Sequence, residues 1–242
     1  MAALGVERKL TLIGLAIAAV GIAPVLAGPV SAAWKAAFPE DAVVMDAAQE
    51  NDPCFSDWIL RKGNAALESK LKDGDERQFT RWEREGRIVH MKTVAAQITV
   101  HGNTDKAVQI RDVTVTVTDR TDPATGKKAV RQHGCGGGDF NVPEAIAVNL
   151  DAIAVGRSVS VLRLQDSPRQ KGTAKAALPY GEPIQLPKTI TEDDFYSFFL
   201  IGMTERAHCS WKAEVTWWDG KETRTASIDN DGVPFRVSSG PA

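Results

Sequence analysis

Along the chain, apolar and polar positions follow a period of two over most of its length. Val94, Ala96, Ile98 and Val100 alternate with Ala95, Gln97 and Thr99, and Val113, Val115 and Val117 alternate with Thr114, Thr116 and Thr118. Alternation of this kind, rich in β-branched residues, predicts strands that bury one face. The pattern is clearest after Cys209, where Trp211, Ala213, Val215 and Trp217 face one way and Lys212, Glu214 and Thr216 the other. Asp219 and Gly220 then supply a tight hairpin, because positive backbone φ costs little there, and residues 221–228 return. Shorter apolar runs predict further strands at 55–60, 129–132, 145–150, 158–164 and 195–203, with 122–126 as a turn. Seven or eight short strands separated by turn signals predict a mainly β fold, an immunoglobulin-like antiparallel β-sandwich.

One short stretch has a helical period instead. Asp75 as an acidic cap, Gln78 three residues on, Phe79 and Trp82 on one face and Gly86 as a stop sketch a helix. Its Phe79 and Trp82 edge is expected to pack on the sheet.

The N-terminal segment has no polar face at all. Residues 10–34 contain no charged side chain, and their apolar positions cover the whole circumference of a helix. About 20 such residues cross a hydrocarbon core of about 30 Å. Arg8 and Lys9 precede the run and Lys35 follows it, so the positive side lies before the span and the C-terminal body outside the cell. A cleavable signal peptide is the other reading, since Val30, Ser31 and Ala32 have a cleavage-site pattern. The run exceeds the roughly 7 to 15 residues of a signal core, which favours a retained anchor. The expected organisation is a cytoplasmic tail at 1–9, a transmembrane helix at 10–32, a juxtamembrane linker with little structure at 33–53, and one extracytoplasmic domain at 54–239.

Composition changes this picture little. At 242 residues there is room for one comfortable core after the N-terminal segment. A net charge of −2 with interspersed signs provides no broad positive field, which argues against a nucleic-acid partner. The expected partners are the membrane, through the N-terminal helix, and a cell-surface protein or envelope glycan. No motif implies a cofactor or a metal.

Cys54, Cys135 and Cys209 stand far apart, with no C-x-x-C pair. Export would expose them to an oxidising compartment. Three pairings are possible, and a Cys135–Cys209 bridge is preferred because it could pin two sheets together. A thiolate site at Cys135, flanked by His133 and glycines, is the less favoured alternative. The glycines at 134 and 136–138 lack the following helix of a phosphate loop and read as a bulge or wide turn. Asp229, Asn230, Asp231 and Gly232 resemble the opening of a calcium loop without its closing Glu, and read as a turn. Glu192, Asp193 and Asp194 read as a solvated turn, and His90, His101, His133 and His208 show no ligand spacing. Trp218 lies on the face opposite Trp211 and Trp217, beside the hairpin tip, where cross-strand packing is the favoured reading and contact with a sugar ring or a partner side chain the alternative.

Several of these residues carry a resemblance. Cys54 with Trp58, the G-C-G-G-G segment at 134–138, then Cys209, Trp211, Trp217 and the D-x-G-x-P-F-R run at 229–236 resemble a group of actinobacterial membrane-anchored proteins of unknown function. Relatives carry C-x-C before the Trp where this chain has Ala207, His208 and Cys209. The resemblance implies topology and a shared exported domain, with no activity attached. The expected function is a noncatalytic surface module, the alternative being an envelope-acting hydrolase built on acids such as Asp139, Glu192 or Asp194. Two of these acids converging in a pocket would favour the hydrolase, and an open sheet face with an exposed Trp218 the binding module.

Overall fold

The computed structural model describes residues 42–49, 57–71, 76–129, 144–165 and 183–241. They are mainly β and form two mixed sheets. The smaller sheet joins β1 (Val43–Gln49), β4 (Thr93–Gly102), β10 (Phe195–Met203) and β7 (Glu144–Asn149), in that order. The larger runs β6 (Gly126–Ala129), β2 (Trp58–Arg61), β3 (Ile88–Met91), β13 (Phe235–Ser238), β11 (His208–Trp218), β5 (Val108–Thr121) and β8 (Ser158–Ser160). Two short strands complete it, β12 (Thr223–Ile228) on β11 and β9 (Lys188–Ile190) on β5.

The long strands behave as their alternation demands. Val94, Ala96, Ile98 and Val100 of β4 share one buried core with Val113, Val115 and Val117 of β5 and with Trp211, Ala213 and Val215 of β11. Both sheets therefore present an apolar face to the same interior. Their approach is close at Gly202 of β10, where a Cβ would lie 2.7 Å from the Trp211 indole. Trp211 in turn packs on Phe235, with ring centroids 4.7 Å apart. The hairpin forms where Asp219 and Gly220 place it, with Gly220 at φ +93° and the Asp219 carboxylate accepting from the Lys221 and Glu222 amides.

The helix predicted at 75–86 is α1 (Glu76–Arg84), and Gly86 follows it at φ +69°. Phe79 and Trp82 are buried in a separate cluster with Trp58, Leu60 and Ile88. Ile59 and Val89 point the other way and are buried too, so β2 and β3 are covered on both faces.

Three expectations need correction, and one strand was not foreseen. The antiparallel sandwich is a mixed one, because β7 runs parallel to β10 and β3 parallel to β13. All four residues of β3 are buried, which removes the alternation that marks a strand half exposed to water. Residues 43–49, assigned to the linker, form β1 at the edge of the smaller sheet, where Asp46, Ala47 and Ala48 give the second half of the strand weak propensity of its own. The strand expected over 158–164 stops at Ser160 and becomes α2 (Val161–Gln165), since Leu, Arg and Gln are good helix formers. Among the described residues no helix is long and apolar enough to cross a membrane, and the segment 10–32 lies outside them.

Candidate functional site

Two polar regions stand out from this frame, one dry and one open. The dry one begins at α1, which buries Glu83 on the same side as Phe79 and Trp82. Arg236 of β13 donates from Nε to Glu83 Oε1 at 3.0 Å and from its terminal nitrogen to the Glu83 carbonyl. Asn230 Nδ2 donates to Glu83 Oε2 and to Gln49 Oε1, both at 3.3 Å. Gln49 Nε2 lies 3.0 Å from His90 Nε2. An amide nitrogen only donates, so His90 accepts there and carries its proton on Nδ1. The imidazole lies 3.8 Å from the Trp58 ring centroid. Complete burial lowers its pKa from 6.5 to about 3, which keeps it neutral. Burial pushes the Glu83 carboxyl up, against the pull of the Arg236 guanidinium.

This network binds the 229–236 run to the helix and to β1. Asp229 accepts from the Gly232 amide, Asp231 sits at φ +53° and pairs with Arg84, and Asn230 turns inward. The residues that resemble the start of a calcium loop are thus spent on a turn and on helix contacts. Among the described residues no group of three metal-binding side chains occurs.

The open region is the outward face of the larger sheet. Gln109, Thr114 and Thr116 of β5, Thr216 and Trp218 of β11, and Thr223, Thr225 and Ser227 of β12 lie there by strand parity. Trp218 is 36% exposed and stands directly between Gln109 and Thr223 in the strand register. The β5–β11 register slips between Thr216 and Trp217, which places Arg111 beside the indole. The Arg111 guanidinium lies 5.0 Å from the ring centroid, and its Nε donates to Gln109 Oε1 at 3.1 Å. Among the described residues Arg111 forms no ion pair. Sequence parity located Trp218, whereas Arg111 was missed because the bulge that aims it leaves no local signal.

The other candidates are not brought together. Glu192 and Asp193 are exposed, and the Asp194 carboxylate accepts from the Thr191 amide and hydroxyl within the same turn. Asp139, Cys54 and Cys135 lie outside the described residues, as does the glycine run at 134–138. A groove along α1, lined by Arg77, Thr80, Arg81, Arg84 and Glu85, contains none of the acids proposed for hydrolysis. Cys209 is buried in the core and forms no disulfide among the described residues, with Sγ 3.9 Å from Thr204 Oγ1. Burial pushes this thiol up despite the nearby Arg120, the reverse of what activates a nucleophile.

No family model and no curated protein matches the chain. Among solved structures it is similar to the X-ray structure of Northeast Structural Genomics Consortium target SoR45, at 10% identity over 81% of this chain and 86% of that one, with a TM-score of 0.31. A likeness so slight says nothing of function.

Proposed function

We propose that this protein is a noncatalytic binding module of the cell surface, held at the membrane by a helix at 10–32 with its β domain outside. The observation that carries the reading is Trp218, a large aromatic side chain left exposed on an open sheet face beside the Arg111 guanidinium, which forms no ion pair among the described residues. Aromatic side chains with an apolar body and a polar tip are enriched at binding surfaces. The hydrolase alternative draws no comparable support, because Glu192 and Asp194 share an exposed turn and not a pocket. An immunoglobulin-like relationship of the two-sheet sandwich, a kinship to the actinobacterial membrane-anchored group, and a Cys135–Cys209 bridge belong to the same proposal.

Sedimentation of the purified full-length chain with isolated cell envelopes tests the binding. The expected result is co-sedimentation that Trp218→Ala reduces severalfold with no loss of folding; equal sedimentation of both proteins overturns it. Protease added to intact cells should remove the β domain and spare a short membrane fragment. Peptide mapping after alkylation without reductant settles the bridge, since label on Cys209 rules it out.

A further inference from the structure

We infer that the Trp218 and Arg111 pair is a subsite for an acidic sugar residue of an envelope glycan, a conclusion that rests on the binding-module reading. Aromatic anchors in protein interfaces sit within other apolar side chains that exclude water. Trp218 has no such neighbours along its cross-strand row. The positions beside it are Thr223 on one side and Gln109 then Thr189 on the other, across four adjacent strands. Hydroxyls and an amide in one row with an aromatic ring on the same sheet face suit a pyranose, which has an apolar C–H face and a rim of hydroxyl groups. The row crosses the strands, so an extended chain of sugars can lie along it.

Charge selects among glycans. Arg111 is exposed and forms no ion pair among the described residues, and its contact with the indole holds it at the site. Its planar guanidinium suits a carboxylate better than an uncharged hydroxyl. A sugar whose C–H face packs on the exposed part of Trp218 brings a ring carboxylate within reach of Arg111. A uronic acid combines both features.

The test uses polygalacturonate and its methyl ester, two polymers with the same sugar skeleton that differ in charge. Binding of full-length protein in nanodiscs is measured by affinity electrophoresis and calorimetry, with melting temperature as the check on folding. The acid form is expected to bind at least about tenfold more tightly than the ester. Arg111→Gln should abolish that difference, Trp218→Ala should remove binding of both polymers, and Trp218→Phe should retain part of it. Equal affinity for acid and ester, or an Arg111→Gln protein that still prefers the acid, overturns the acidic-glycan assignment. If neither polymer binds while Trp218→Ala still reduces envelope sedimentation, the glycan class fails and the binding module stands, with a protein as its partner. If Trp218→Ala changes neither measurement, both fail.

Discussion

The polar residues around Glu83 and those around Trp218 are drawn from the same side-chain types, yet the fold treats them in opposite ways. At Glu83, an Arg, an Asn, a Gln and a His are linked by hydrogen bonds in a largely buried cluster, and Glu83 and His90 depart from their usual pKa values. At Trp218, an exposed Arg and a half-buried Gln lie beside the indole, and the arginine pairs with no carboxylate among the described residues. Perturbed groups are often read as a functional site. Here they mark the joint that holds α1 and the 229–236 run to β1, and the proposed binding surface lies elsewhere on the fold.

This contrast predicts a graded set of effects. The largest is expected from Glu83→Ala, which strands the half-buried Arg236 charge and should cost about 3–5 kcal/mol in urea denaturation. A cost below about 1 kcal/mol would mean that the network is ornamental. Next comes Asn230→Ala, which leaves Glu83 Oε2 and Gln49 Oε1 each short of a donor and should cost about 1–3 kcal/mol by the same measurement.

The third effect is a dependence on pH. His90 has a folded pKa of about 3 against 6.5 when unfolded, so between those values the unfolded chain alone binds the proton. Its contribution is complete above pH 6.5 and is lost as pH falls towards 3, at up to about 1.4 kcal/mol per pH unit. Glu83 acts in the other direction: its carboxyl is raised in the fold, so its contribution is complete below pH 4.5 and declines as pH rises. Denaturation midpoints from pH 3 to 7 should therefore rise more steeply in Glu83→Gln than in the parent; an unchanged slope would show that Glu83 does not titrate in this range. The smallest effect sharpens the comparison from its other side. Trp218→Ala should alter stability by no more than about 0.5 kcal/mol while it reduces envelope binding. A large loss of stability would move Trp218 from the binding surface to the framework.

The strands β4, β5 and β11, the hairpin at Asp219 and Gly220, and α1 with its buried Phe79 and Trp82 were legible because each depends on near neighbours. A side chain's face follows from residues two or four positions away, and a turn from the backbone freedom of two residues. Trp218 was legible for the same reason, as the residue of opposite parity to Trp217. β3 was hidden because cover on both faces erases alternation, and β1 because Asp46, Ala47 and Ala48 break its pattern and pairing with β4 supplies the reason to be extended.

The sequence by itself determined which residues turn inward along the long strands, where the chain reverses after β11, and that the fold is mainly β. Only the tertiary structure decided which strands run parallel, that Gln49, Glu83, His90 and Asn230 meet, and that a slip in register brings Arg111 to Trp218. Periodicity is a property of consecutive residues and can be read one segment at a time. The choice of partner across sequence separations of 41 or 147 depends on which faces must leave water together, and that is settled only when the whole core closes.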